Sequence, residues 1–470
     1  AIREGSEVKG YYFFYVSDKI SKKQNEYTLQ ITDENLNKLK DIKFTDSKDV
    51  SLLESSFNGT DLIFLFYNSS SRIMEYQVYG VDGKKKHTYT RELSKKENRF
   101  LESTYDFKGL YPIEGKGFIS LMPSREDKDY TFQLDYFSSG KRKQWSYIPT
   151  KGAKRFVGDY LGTSAGIVYI QVLKFTSTMD GKPDSYLVAL KEETGALLYE
   201  KQTDLSNHRV YPATLSVLED GKAFVFGEYF SPTANIMKDK SEGFAFWTLN
   251  ENGEIVSEKY NSWALDMGKH MAVNSKGKID DFGFMYLHNM VQTEDGSIYA
   301  VGEGYKKAAS ALGIAATVLS GGRAGVSVLK LKVTDLVIIQ FDQSFKVKKA
   351  TIFEKDGNSV ELPSGYEVVS TPLIGKLIKG FDEFQSNYTL ASKDKSHFSV
   401  FYTEYLKQKD FKGFSFSAIS YADGKLTTDK IRYKRESTKS IILPAKPGHV
   451  LILDYYKKTK KLEAHFEKMN

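Results

Sequence analysis

Two stretches decide the fold: Glu219-Asp220-Gly221-Lys222-Ala223-Phe224-Val225-Phe226-Gly227-Glu228, and Glu294-Asp295-Gly296-Ser297-Ile298-Tyr299-Ala300-Val301-Gly302-Glu303. Each reads as a strand ending at an Asp-Gly turn, followed by a second strand buried on both faces. Asp-Gly is expected to form a tight hairpin in which both residues take positive φ. The two copies begin 75 residues apart (294 minus 219), with the two glutamates at equivalent strand ends.

Looser copies extend the pattern. Asn58-Gly59-Thr60-Asp61 precedes the apolar run from Leu62 to Tyr67, and Gly162 to Gly166 precedes Ile167-Val168-Tyr169-Ile170. Asp394-Lys395-Ser396 and Pro447-Gly448 stand before His397 to Tyr402 and His449 to Leu453. A third strand and a more polar fourth follow, as in Phe244 to Leu249 and Ile255 to Tyr260. Four antiparallel strands graded from apolar to polar make one propeller blade. The fold class expected is therefore all-β, a β-propeller of four-stranded antiparallel blades forming a single domain over residues 1–470. Eight units begin near residues 8, 50, 110, 155, 210, 284, 365 and 440, with seven blades the nearest alternative and stacked β-sandwiches a weaker one. The first unit is expected to lack its innermost strand and the last its outermost, so that pairing of the termini would close the ring.

Two segments interrupt the pattern. A polar connector spans 264–283, and an insert spans 306–328, where Ala308 to Leu319 is uncharged except for its flanks and rich in helix-compatible Ala and Leu. Twelve helical residues reach about 18 Å, too short for a hydrocarbon core of about 30 Å. No transmembrane helix is expected. The insert reads as a plug or cover for the propeller, or else as a docking or assembly element.

Composition narrows the classes. Tyr and Phe, 31 of each against three Trp, favour strands. The net charge of +7 is mild for 470 residues, and the clusters Lys84-Lys85-Lys86, Lys141-Arg142-Lys143 and Lys457-Lys458 are dispersed. They read as solvated turns guarding sheet edges, and no nucleic-acid partner is expected. Cysteine is absent, which rules out a disulfide-stapled domain and fits an oxidising envelope. With Ala1 first, an exported protein of the periplasm or cell surface is expected, with peripheral envelope association compatible.

The Tyr/Phe/Lys-rich strands, the Asp-Gly hairpins, the absent Cys and the small-residue insert after Gly302-Glu303 together resemble a family of uncharacterised exported Bacteroidetes proteins, a domain of unknown function. The resemblance implies an envelope location and lends no catalytic residue.

Motifs for chemistry are few. There is no Gly-x-Ser-x-Gly elbow, and neither Gly302-Glu303-Gly304 nor Ser320-Gly321-Gly322-Arg323 has the context of a phosphate loop. No cofactor is expected. The weak metal candidates are His270, Asp280, Asp281 and His288. Glu228 and Glu303, with neighbouring Tyr229 and Tyr305, are the candidate ligand-binding residues. Two acids at strand ends can converge on a glycan, or can merely bond to backbone and lysine. The leading expectation is a non-enzymatic propeller that binds a protein or glycan partner. A glycan hydrolase or lyase, and a scaffold assembling through 308–319, are the alternatives.

Overall fold

The computed structural model describes residues 1–4, 7–103, 109–126, 129–141, 143–149, 151–177, 181–204, 207–218, 221–309, 329–361, 369–407, 409–433, 437, 439–446, 448–459 and 461–468. The chain is all-β, and its strands form consecutive antiparallel meanders over 2–47, 50–92, 110–147, 155–202, 209–262, 284–353, 386–433 and 439–468. Seven have four meander strands and the last has three. These are propeller blades; six start within a residue of the positions read from the sequence, whereas the first starts at Ile2 rather than near 8 and the seventh at Ser386 rather than near 365.

The second strand of the fifth sheet, Ala223–Phe230, is buried along its whole length, whereas its fourth, Ile255–Ser262, is largely open to solvent. That gradient follows from residue type: apolar runs need cover on both faces, and polar residues such as Ser257 and Glu258 need water.

Two compact units divide the chain. The first comprises Ala1–Asp159, Glu193–Ala196 and Ser437–Asn470. It holds the first three sheets and the last. Ile31 and Phe64 belong to the layer between the first and second sheets, and Ile63 and Phe118 to the layer between the second and third. Val8 and Tyr11 pack with Leu451 and Leu453, joining the first sheet to the last. Tyr11 also donates to the Pro444 carbonyl at 3.1 Å. A single parallel bridge, Tyr130 to Arg155, continues the third sheet.

The second unit comprises Tyr160–Glu192 and Leu197–Glu436, with most of the fourth sheet and all of the fifth to seventh. Its layers pair successive sheets in the same way, through Tyr169 with Trp247, Phe246 with Phe341, and Tyr299 with Phe398.

Several expectations are corrected. The first sheet has its innermost strand, the short Ile2–Glu4, paired with Glu7–Lys19. Among the described residues no strand of the last sheet pairs with the first; the two meet by packing. The Asp295-Gly296 turn is wider than a two-residue hairpin, and Glu219 and Asp220 lie outside the described residues. Thr293 donates its amide to Ser297 across the turn, and only Gly296, at φ +77°, is left-handed. Asp295 instead accepts from the Thr293 hydroxyl and the Ser297 amide, an Asx-type closure that leaves its own φ negative. The connector 264–283 is also less polar in role than in composition. Met267, Val273, Ile279 and Phe282 fill the layer between the fifth and sixth sheets.

Residues 306–309 are strand, continuing Ile298–Ala309 against Leu329–Phe341. The remainder of the Ala308 to Leu319 segment lies outside the described residues. Two α-helices are described: α1, Lys95–Ser103, and α2, Thr371–Gly380. No described helix is long and apolar enough to cross a membrane.

Candidate functional site

The sequence-predicted acids come from equivalent register positions. Glu228 pairs with Tyr211 in the fifth sheet, and Glu303 with Tyr286 in the sixth. Both acids are buried. Burial alone would expel the charge of each, so their partners decide what they are.

Glu303 is ionised. Its Oε2 lies 3.2 Å from the Lys355 ammonium, and both side chains are fully buried. Its Oε1 lies 3.3 Å from His288 Nε2. Its two oxygens accept the amides of Gln385 at 3.2 Å and Ser386 at 2.6 Å. Burial pushes its pKa up, but the His288 contact, Lys355 and the Ser386 amide outweigh this and hold it down at about 2. Burial keeps His288 below its usual range despite that carboxylate. The lasting charge partner is therefore Lys355. Since Ser386 opens the strand Ser386–Ala391, Glu303 staples the sixth sheet to the start of the seventh.

Glu54 does the same in the first unit. It accepts the amides of Gly109 at 3.0 Å and Leu110 at 3.3 Å, where the first strand of the third sheet begins.

Glu228 differs. Among the described residues no cation pairs with it, and burial lifts its pKa to about 7, with a hydrogen bond from Ser241 opposing the shift. Around it stand Tyr211, Tyr286 and Tyr305, all held above the ordinary phenol range, first by burial and further by the charges of Glu228 and, for Tyr211 and Tyr305, of Tyr286. Helix α2 packs over this group. Tyr305 donates to the Thr371 carbonyl in the first turn of α2, and Lys376 stands 4.7 Å from the Tyr211 ring centre. Burial lowers Lys376 to about 7. The other predicted tyrosine, Tyr229, is buried against His208 and Tyr260 at 4.7 and 5.2 Å between ring centres. The structure thus places all four candidate ligand residues in internal contacts.

The four metal candidates do not gather. Asp281 is fully exposed and pairs with Lys306 at 3.6 Å, while His288 is buried beside Glu303. Among the described residues no group of three or more His, Asp or Glu is placed to hold a metal ion.

An open groove of about 570 Å³ lies instead in the first unit. Arg3 comes from the first strand of the first sheet, Ser55 and Ser56 from that of the second, and Pro112 from that of the third. Tyr12 reaches in from the first sheet and bonds Ser55 at 2.6 Å. Asn58 makes the floor rigid. Its Oδ1 accepts the Asp61 amide at 2.8 Å, its Nδ2 donates to Ser139 at 2.8 Å, and its carbonyl accepts from Gly115 at 2.7 Å. Sequence reasoning missed this groove because its residues are ordinary singly and lie on four separate strands.

A family model, the family of unknown function DUF6770, matches residues 1–470. The chain belongs to that family. A search of curated proteins finds no match. Among solved structures, the DUF6770 chain is similar to prolyl oligopeptidase B from Galerina marginata at 9% identity and TM-score 0.42. That alignment covers 97% of this chain and 57% of the peptidase, so the chain spans just over half of that protein. It is also similar to the WD40 domain of SCAP from fission yeast, at 8% identity and TM-score 0.38, covering 98% and 91% of the two chains. The β-propeller domain of the Trilobed protease from Pyrococcus furiosus aligns at 8% identity and TM-score 0.35, covering 77% and 95%.

Proposed function

We propose that this chain is a non-enzymatic binding protein, exported to the periplasm or cell surface, that engages a glycan through the groove of its first unit. The observation carrying this reading is the groove itself, built from the first strands of three successive sheets. Rigid walls lower the ordering cost of binding. Hydroxyl and aromatic groups around Tyr12, Ser55 and Ser56 match the mixed polar and apolar faces of a sugar. The absence of Cys supports the oxidising compartment.

A hydrolase or lyase has one observation in its favour, the raised pKa of Glu228. That acid is buried with Ser241 as its partner, and Glu303 is committed to Lys355. The scaffold alternative rests on 308–319, largely outside the described residues.

The test is a glycan array probed with the full chain and with Ser56→Trp, which fills the groove. Selective binding that the substitution removes supports the reading. Binding to no glycan, with capture instead of a defined purified envelope protein, replaces glycan by protein. Release of shortened glycans overturns the non-enzymatic reading.

A further inference from the structure

A second cavity, of about 290 Å³, lies in the first unit between α1 and the hairpin joining Gly117–Glu126 to Asp129–Ser138. Lys96 and Arg99 reach it from α1, and Arg125 from the hairpin. One carboxylate, Glu97, lines it among the described residues. That acid is already engaged: it accepts from Arg91 at 2.9 Å, from the Ser124 hydroxyl at 3.0 Å and from the Ser94 amide at 2.9 Å. Among the described residues that line it, three cations stand against one carboxylate already engaged by Arg91.

Arg125 is held ready. Its guanidinium lies 4.7 Å from the Tyr130 ring centre, and Nη1 donates to the Tyr130 hydroxyl at 3.4 Å. Its Nε is buried without a hydrogen-bond partner. Lys96 and Arg99 have no ion-pair partner among the described residues. A planar fork held against an aromatic ring, with its Nε donor unspent, suits an oxyanion that accepts two parallel bonds. Pro123 and Tyr130 supply apolar walls beside the cations, which suit the C–H face of a sugar better than a bare ion.

We infer that this cavity binds the acidic group of a saccharide, a carboxylate or a sulfate ester, carried on a residue of monosaccharide size. The inference takes its saccharide from the glycan-binding reading and does not depend on the groove.

Isothermal titration of the full chain tests it with four probes: a polygalacturonate hexasaccharide, a chondroitin sulfate hexasaccharide, neutral cellohexaose and sodium sulfate. Binding of either acidic hexasaccharide is expected, with the responding probe separating carboxylate from sulfate. Arg125→Gln should weaken it about tenfold or more, the loss of one charged hydrogen bond. Arg99→Ala, on the exposed helix face, should weaken it with unchanged melting temperature, so a folding defect in the first variant leaves the test intact. Raising salt from about 50 to about 500 mM should weaken it further. Ser56→Trp should leave it unaltered, and loss in that variant alone would assign the acidic sugar to the groove and overturn the inference. Equal affinity for cellohexaose, equal affinity for sulfate alone, or no response to either acidic hexasaccharide would overturn it too.

Discussion

Glu303 and Lys355 form a fully buried ion pair, 3.2 Å apart, whose carboxylate also takes the first two amides leading into the next sheet. Removing one member of such a pair strands the other charge in a dry interior, at a cost of about 3–5 kcal/mol. Glu303→Gln should therefore lower unfolding free energy by that order in urea titration. Glu303→Gln with Lys355→Met should cost less than Glu303→Gln alone. A loss below about 1 kcal/mol for the single variant would show that the staple carries little.

Glu228 predicts a pH dependence. Its folded pKa of about 7 lies above its ordinary value of 4.5, so the fold favours the protonated acid. The contribution is complete below about 4.5 and is lost as pH rises through about 7, on the order of 3 kcal/mol by pH 8. Glu228→Gln should raise the melting temperature at pH 8.5 and leave it little changed at pH 4. Equal effects at both pH values would place the titration elsewhere.

Lys376 should act in the opposite sense. Burial holds it near 7, below the usual 10.5, so the fold favours the neutral amine. Its penalty is largest below about pH 7 and fades toward 10.5. Lys376→Met should stabilise at pH 6, with the gain shrinking as the buffer is taken toward pH 10. A constant gain across that range would mean packing alone is responsible.

Gly375, in α2, is where a small residue is required. A Cβ there would stand 2.4 Å from Tyr286 Cδ2, and the Tyr286 ring is itself stacked on Phe384 at 5.2 Å. Gly375→Ala gains about 1 kcal/mol of helix propensity but overpacks this contact by about 1–3 kcal/mol. The expected result in thermal melts is net destabilisation. A higher melting temperature would show that Tyr286 has room to move.

The blades were legible because their signals are local. Runs such as Leu62 to Tyr67 and Ala223 to Phe226, set off by Gly at positive φ, carry the strands and turns in a few adjacent residues. The equivalence of Glu228 and Glu303 was legible too, since the repeat carries it. Their different charge states were not. Glu303 is set by Lys355, 52 positions on, and by amides at 385 and 386, and only the folded register brings these together.

The helices had signals that the strand pattern overshadowed. Ser94-Lys95-Lys96-Glu97 is a capping box: the Glu97 amide donates to Ser94 Oγ at 3.2 Å, and the Ser94 amide to Glu97 at 2.9 Å. Ser370-Thr371-Pro372 opens α2 with Pro in its first turn, and Gly380 ends it. The groove had no such signal, because no single strand reveals what its neighbours across two sheets contribute.

The most direct measurement of the central claim is the dissociation constant of the array-selected neutral glycan for the wild-type chain and for Ser56→Trp, with both melting temperatures recorded. The groove account predicts saturable binding by the wild type, loss of at least about tenfold in the variant, and matched stability. Equal binding by the two proteins would contradict it.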